Sequence, residues 1–149
     1  LNQSEYIKTC YNIKESNCPH FDLEEEFAIQ LLIKNLIKSN LILSAHDTAE
    51  GGLFMALMES CMHKNLGMQI SNISTLRDDV FLLSESQSRV IVSVAPENEN
   101  KFLEIVKDTS CLKLGIITSG RLMICNQDFG SIHDWKKLHE ETLSSLIEN

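Results

Sequence analysis

The sequence is poor in proline and in basic residues, and it has no long apolar segment. Only 2 of its 149 residues are proline and 43% are hydrophobic, a composition that excludes a disordered chain. No run approaches the roughly 20 consecutive apolar residues of a membrane-spanning helix. Lys and Arg number 13 against 21 Asp and Glu, which gives a net charge of −8. We therefore expect neither a membrane nor a nucleic acid as partner, because nucleic acids are bound mainly through basic side chains.

The sequence also lacks an initiator methionine, a secretory signal and any C-x-x-C pair. It opens Leu1-Asn2-Gln3-Ser4, without a basic stretch followed by an apolar segment. We expect a piece of a longer, cytoplasmic protein. The five cysteines are odd in number and lie mostly in apolar runs, which predicts free, buried thiols instead of disulfides.

The spacing of apolar residues predicts one α/β domain over residues 1–149, with a mixed sheet of four or more strands packed with helices. Residues 1–21 form an irregular or edge-strand approach segment in this interpretation, and residues 22–149 form the α/β core. The capping pattern at Asp22 marks the start of the first helix. The predicted elements are a helix over 22–40, a strand over 41–43, a helix over 48–64, a strand over 67–70, a short helix over 74–83, a strand over 90–94, a helix over 96–108, a hairpin of 112–118 with 121–125, and a helix over 131–147.

A polar turn with two adjacent glycines follows the strand at 41–43. Glycine is costly in a helix, so Gly51 and Gly52 indicate a close approach of another group to the backbone. That group is either an anion at the helix N-terminus or a neighbouring strand. Asp47 is either a helix cap or a ligand-contacting group beside His46 at the end of a strand. Because basic residues are few, we expect a phosphate here to meet backbone N–H groups and Mg²⁺, with no lysine from this chain.

A second polar cluster, Ser84-Glu85-Ser86-Gln87-Ser88-Arg89, lies between two apolar segments. It is either a solvated loop, in which Arg89 pairs with Glu85, or a set of hydroxyl, carboxylate and amide groups that binds a polyol or a phosphate.

Three motifs carry a resemblance to a known family. They are His46-Asp47-Thr48-Ala49-Glu50-Gly51-Gly52-Leu53, Leu83-Ser84-Glu85-Ser86-Gln87-Ser88-Arg89-Val90 and Gly115-Ile116-Ile117-Thr118-Ser119-Gly120-Arg121-Leu122. In order and spacing they resemble the C-terminal domain of phosphoribosylformylglycinamidine synthases, in the superfamily of aminoimidazole ribonucleotide synthetase.

The resemblance implies an ATP-dependent carbon–nitrogen ligase of purine biosynthesis. Such enzymes convert formylglycinamide ribonucleotide and glutamine-derived ammonia to formylglycinamidine ribonucleotide, with ATP and Mg²⁺. It also implies as partners the upstream domains of the same chain, a glutaminase subunit or domain, and a possible dimer. By the same likeness, Asp47, Gly51, Gly52 and Ser84 would contact the nucleotide, while Glu85, Ser86 and Gln87 would contact the substrate, with Glu85 also a Mg²⁺ ligand.

The resemblance has limits that set the competing hypotheses. Ser84 stands where the family often has glycine, which weakens the expected close approach of the backbone there. The family's general-base histidine, its ATP-contacting lysine and most of its metal carboxylates lie in upstream domains, so we expect no catalytic residue in this chain and no synthetase activity from it alone. The alternatives are a sibling ATP-using enzyme, of the aminoimidazole ribonucleotide synthetase or selenophosphate synthetase type, and a non-catalytic interaction module.

Overall fold

The computed structural model describes residues 1–72 and 74–147, without the side chains of 143–146. Within them the chain divides into two compact units, residues 1–56 with 79–112 and residues 57–78 with 113–149. The elements are α1 (Glu5–Tyr11), α2 (Leu23–Lys38), β1 (Ser44–Asp47), α3 (Gly52–Met62), β2 (Leu66–Ile70), α4 (Asp78–Leu83), β3 (Val90–Ser93), a 3₁₀ turn (Pro96–Asn98), α5 (Glu99–Val106), β4 (Gly115–Ser119), β5 (Arg121–Ile124), β6 (Gln127–Ser131) and α6 (Ile132–Ile147).

The first unit is built around the antiparallel pair of β1 and β3. Ser44 lies opposite Ser93 at one end of this ribbon, and Asp47 lies opposite Val90 at the other. A buried cluster from α2, α5 and the segment that enters β1 supports the ribbon; it contains Leu36, Leu41, Phe102 and Val106. Two strands alone are marginally stable in water, so the helices supply the apolar area that keeps β1 and β3 together.

The second unit contains a four-stranded sheet in the order β4-β2-β5-β6. The β2–β5 pair is parallel and the other two pairs are antiparallel, which confirms the predicted mixed sheet. Met68, Leu122 and Ile124 are fully buried and come from the two central strands. The core of this unit therefore lies along β2 and β5.

The predicted hairpin of residues 112–125 is wrong in its pairing. Both strands exist, but β4 and β5 lie on opposite sides of β2 and do not pair with each other. Gly120 has a φ of +65°, as expected of a tight connection, and the chain then crosses β2 where Gly67 lies next to the backbone of Arg121. Turn residues indicated the reversal correctly, but they carry no information on a third strand that inserts between the two arms.

Several predicted boundaries also change, and the short helix predicted over 74–83 is α4, which begins at Asp78. Residues 5–11 form α1 in place of an edge strand. The Ser4 side chain caps this helix, and that local contact outweighs the preference of its β-forming residues for a strand. The strand predicted at 41–43 begins at Ser44, while Leu41 packs in the core. Helix α3 begins at Gly52, four residues later than predicted, and it is buried on several sides as its apolar residues indicated.

The cysteines differ from the prediction of buried thiols. All five are free, as expected, but Cys10, Cys18 and Cys111 are exposed, and only Cys61 is fully buried. Apolar neighbours in sequence do not decide which face of a short element is covered. Within the described ranges, no helix combines the length and the apolar character needed to cross a bilayer.

Helix α2 starts at the predicted position because Asp22 caps it. Asp22 Oδ1 accepts hydrogen bonds from the N–H groups of Glu24 at 2.9 Å and Glu25 at 3.0 Å. The hydrogen bonds from Glu25 and Glu24 lower the pKa of Asp22. A lowered pKa stabilises the fold fully above the ordinary Asp pKa of about 3.9, and this stabilisation is lost as the pH falls through the lowered value.

We expect the variant Asp22→Asn, which keeps a capping oxygen without the charge, to show a weaker acid dependence than the wild type. Urea unfolding followed by circular dichroism should show the wild type more stable than the variant at pH 6. The difference should close toward about pH 2, where both caps are neutral. A gap that stays constant over this range would contradict the charged cap.

Candidate functional site

The two motifs with the most polar residues meet in the first unit. The segment Thr48–Gly52, here called the glycine turn, joins β1 to α3 and runs beside residues 84–89, here called the polar cluster. The Thr48 N–H donates to the carbonyl of Arg89 at 3.0 Å, directly after the Asp47–Val90 pair of the ribbon. The register of β1 on β3 therefore sets where the glycine turn begins.

Gly52 is held against the backbone at the end of α4. Its φ is +63°, a left-handed conformation that glycine adopts without penalty. A Cβ at this position would lie 2.6 Å from the Ser84 carbonyl oxygen and 2.9 Å from that of Leu82. Of the two explanations for the paired glycines, close packing is the one that the contacts display. The neighbour is a helix end, in place of the expected strand.

Glu85 ties the glycine turn to the polar cluster. Its Oε1 accepts a hydrogen bond from the Gly51 N–H at 2.9 Å. The same oxygen accepts a second bond, also of 2.9 Å, from the N–H of Glu5 at the start of α1. Hydrogen bonds to an ionised acceptor are the stronger class, so one carboxylate oxygen fixes two chain segments that are distant in sequence.

Most of the other side chains of the polar cluster also form hydrogen bonds within the fold. Ser84 Oγ donates to the Val80 carbonyl at 2.5 Å. Arg89 does not pair with Glu85 as one hypothesis had it: its guanidinium donates to the carbonyls of Ser84 at 3.0 Å and Phe81 at 3.3 Å, where α4 ends. Burial lowers the pKa of Arg89. The arginine thus satisfies carbonyls that the helix leaves unpaired.

Ser86 and Gln87 differ from their neighbours in the cluster. Ser86 is half-buried and Gln87 is exposed. Among the residues that the structure describes, neither side chain has a hydrogen-bond partner within the fold. Hydroxyl and amide groups of this kind are suited to phosphate oxygens and sugar hydroxyls, because each can donate as well as accept.

Asp47 ends β1 with its side chain 85% exposed. Its carboxylate Oδ1 lies 3.8 Å from His46 Nδ1, and the same ring nitrogen is 2.7 Å from the Asp47 carbonyl oxygen. The helix that follows begins at Gly52, so Asp47 is too far from its first turn to cap it. This placement leaves the carboxylate available to a ligand.

A groove of about 610 Å³ adjoins Asp47 in the first unit. Ile29, Ile33 and Ile37 of α2 give it an apolar wall, and Lys34 and Lys38 also line it. The sequence predicts no lysine of this chain near a phosphate, and Lys34 and Lys38 were not among the site residues proposed from it. Their i, i+4 spacing places them on one face of α2, but spacing alone does not say which face adjoins Asp47.

The part of the chain that the structure describes supplies only a partial donor set for a metal ion. Among the described residues, no three His, Cys, Asp or Glu side chains lie close enough together to hold a metal ion. Mg²⁺ is typically bound by one or two carboxylates together with phosphate oxygens and water, so a single exposed Asp47 fits a partial contribution. Of the seven residues proposed from sequence, the fold brings together Gly51, Gly52, Ser84 and Glu85 by the contacts above; Ser86 and Gln87 follow in the same loop, and Asp47 precedes the turn.

The chain is similar in sequence to PurL subunits from several organisms. Phosphoribosylformylglycinamidine synthase subunit PurL of Moorella thermoacetica is 42% identical over 105 residues, covering 70% of this chain and 14% of that protein. The same subunit of Thermoanaerobacter sp. strain X514 is 38% identical over 123 residues, covering 81% of this chain and 17% of that protein. The chain thus spans less than a fifth of the length of these relatives.

Solved structures share the fold. Phosphoribosylformylglycinamidine synthase II from Thermotoga maritima matches with a TM-score of 0.64 at 20% identity, over 77% of this chain and 22% of that chain. The same organism's PurL complexed with FGAR matches with a TM-score of 0.59 at 22% identity, over 74% of this chain and 21% of that one. PurL of the same organism complexed with ATP matches with a TM-score of 0.58 at 20% identity, over 70% of this chain and 20% of that chain.

A family model described as AIR synthase related protein, C-terminal domain, matches residues 7–125. This range contains the glycine turn, the polar cluster and the strands β1 to β5. The chain therefore belongs to the family of AIR synthase related proteins, as a C-terminal domain of that family.

Proposed function

We propose that this chain is the C-terminal domain of a phosphoribosylformylglycinamidine synthase, an ATP-dependent ligase of purine biosynthesis. The observation that carries the proposal is the assembly of the two polar motifs, through the Glu85–Gly51 hydrogen bond and the Gly52–Ser84 contact. The 42% identity to a PurL subunit supports the choice of this enzyme. A sibling enzyme or a plain interaction module has no comparable support.

The proposed reaction uses ATP to place a phosphoryl group on the amide oxygen of formylglycinamide ribonucleotide, after which ammonia displaces phosphate. Asp47, Gly51, Gly52 and Ser84 would contact the nucleotide, and Glu85, Ser86 and Gln87 the substrate. The unbonded Ser86 and Gln87 side chains are the clearest candidates for direct hydrogen bonds. Lys34 and Lys38 add positive charge that favours a phosphate near Asp47.

Magnesium is part of the proposal through Asp47. When bound, Mg²⁺ would neutralise charge on the phosphate oxygens and make the phosphorus atom more electrophilic. Asp47 supplies one exposed carboxylate oxygen ligand, while Glu85, also proposed as a ligand, has Oε1 committed to two amides and only Oε2 left for a metal ion. The other ligands would come from the nucleotide, from water and from other domains of the synthase.

The proposed partners follow the relatives. Solved structures of the Thermotoga maritima protein include its complexes with FGAR and with ATP, and the PurLQS assembly matches this chain with a TM-score of 0.57 at 22% identity, over 85% of this chain and 23% of that chain. We propose the same substrates here, together with a glutaminase subunit that supplies ammonia and the remaining domains of the synthase. We also propose a reducing compartment such as the cytoplasm, since the exposed Cys10, Cys18 and Cys111 are free thiols.

Asp47→Asn tests the nucleotide site. In the full-length protein we expect the variant to weaken Mg·ATP binding about tenfold, because a neutral amide is a poor Mg²⁺ ligand. Calorimetric titration with Mg·ATP and an assay of formylglycinamidine ribonucleotide formation measure the effect. Asp108→Asn, which removes an exposed carboxylate after α5 of the same unit, should bind and turn over as the wild type does. Normal affinity and turnover in Asp47→Asn would contradict the role of Asp47.

A further inference from the structure

Glu85 has a bonding pattern that a plain substrate contact does not need. Its side chain is half-buried, and one oxygen accepts from the amides of two segments, at Glu5 and Gly51. Among the described residues no hydrogen-bond partner exists for Oε2. The carboxylate is therefore asymmetric, with one oxygen engaged inside the fold and the other not.

The hydrogen bond from the Gly51 N–H to Glu85 helps to fix the conformation of the glycine turn. Gly51 and Gly52 both have positive φ, at +77° and +63°, and glycine populates such conformations without a strong preference of its own. A turn of two glycines is therefore flexible unless other contacts fix it. Thr48 donates to the Arg89 carbonyl through both its N–H and its Oγ1, the Gly52 N–H donates to the Ala49 carbonyl, and the Met55 N–H donates to the Gly51 carbonyl. The Gly51 N–H donates to Glu85, which among the described residues is the one side chain from outside the turn that forms such a bond.

The hydrogen bond from the Glu5 N–H to Glu85 also fixes the start of α1. Ser4 is fully buried and caps α1, and the N–H of Glu5 follows it directly. Lys8, one turn further along α1, forms an ion pair with the Glu5 carboxylate at 2.6 Å. The pKa of Lys8 is raised, first by its hydrogen bond with Glu5 and, to a lesser degree, by the charges of Glu5 and Glu85. The segments that converge on Glu85 are thus α1, the glycine turn and the polar cluster.

We propose that Glu85 is a positioning residue: its Oε1 holds the glycine turn and α1 against the polar cluster, so that Asp47, Ser86 and Gln87 are presented to the ligand in one arrangement. Glu85 acts on the ligand through Gly51, and coordination of Mg²⁺ is not its main role. The expected effect of Glu85 on ligase activity rests on the proposed function, whereas its expected effect on the glycine turn does not.

The pair Glu85→Gln and Glu85→Ala separates the two roles. A glutamine carbonyl oxygen can accept both N–H groups, whereas alanine accepts neither. Glutamine is also a far weaker Mg²⁺ ligand than glutamate, so a metal-binding Glu85 would be damaged equally by both changes. Glu104→Ala in α5 removes an exposed carboxylate of the same unit and serves as the matched control.

Two measurements are made on the full-length protein. Hydrogen–deuterium exchange reports protection of the peptides that contain Glu5 and Gly51, and the ligase assay reports kcat and KM for Mg·ATP. We expect Glu85→Ala to lose protection in both peptides and at least about tenfold in kcat/KM, since small displacements of positioning groups are costly. Glu85→Gln should retain the protection and stay within about threefold of the wild type, which is under 1 kcal/mol.

Equal losses of activity in Glu85→Gln and Glu85→Ala, with a raised Mg²⁺ requirement in both, would overturn the positioning role. So would unchanged exchange of the Gly51 peptide in Glu85→Ala. If the wild-type protein forms no product, the proposed function fails, while the exchange data still decide whether Glu85 holds the turn.

Discussion

Replacing Gly52 with alanine should destabilise the chain by about 3 kcal/mol and displace the glycine turn from the polar cluster. Two costs combine at this residue. A φ of +63° costs an L-residue about 1 kcal/mol or more, because its Cβ approaches the backbone in the left-handed region. The new methyl group would also lie 2.6 Å from the Ser84 carbonyl oxygen and 2.9 Å from that of Leu82, so the end of α4 has to move.

The second cost can be isolated with a control from the same chain. Gly120 has nearly the same φ, +65°, but no atom of the described residues beyond its chain neighbours lies within 4 Å of the position of a Cβ. Gly120→Ala should therefore lose only the conformational part, about 1 kcal/mol. Urea unfolding compares the two variants with the wild type, and Mg·ATP titration should show weaker binding only in Gly52→Ala. Equal destabilisation by both substitutions would mean that the Ser84 contact is not tight.

The sequence allowed prediction of those features that depend on neighbouring residues. Asp22 caps α2 through N–H groups two and three residues away, so a local pattern was sufficient to place the helix start. The paired glycines similarly indicated that another group, either an anion or a neighbouring segment of backbone, approaches closely. Which backbone approaches was not predictable, because the end of α4 is more than 30 residues away along the chain and its position depends on how β1 pairs with β3.

The site shows the same division between local and long-range information. Its residue types were recognisable, and the fold places Gly51, Gly52, Ser84 and Glu85 next to one another. The internal use of Glu85 could not be foreseen, since its two donors are 34 and 80 residues away in sequence. Lys34 and Lys38 were missed for a related reason: helical spacing gives a face but not what that face adjoins.

Gly67 lies at the close crossing in the strand order β4-β2-β5, and Gly67→Ala should destabilise the chain by about 3 kcal/mol. Gly67 lies in β2 where the chain crosses from β4 to β5. A Cβ here would lie 2.5 Å from the Arg121 nitrogen and 2.7 Å from Thr118 Oγ1. A glycine in a strand interior is otherwise unfavourable, so alanine would stabilise the strand slightly if the crossing segment were elsewhere.

The sign of this effect therefore distinguishes the two topologies. With β2 inserted between β4 and β5, the new methyl group meets backbone that cannot rotate away, and the midpoint of urea unfolding should fall well below that of the wild type. With β4 and β5 paired directly as a hairpin, the crossing over β2 disappears and Gly67→Ala should be neutral or mildly stabilising. Gln69→Ala, an exposed position of the same strand, controls for the loss of side-chain contacts and should change stability by less than about 1 kcal/mol. A Gly67→Ala protein as stable as Gln69→Ala would contradict the inserted position of β2.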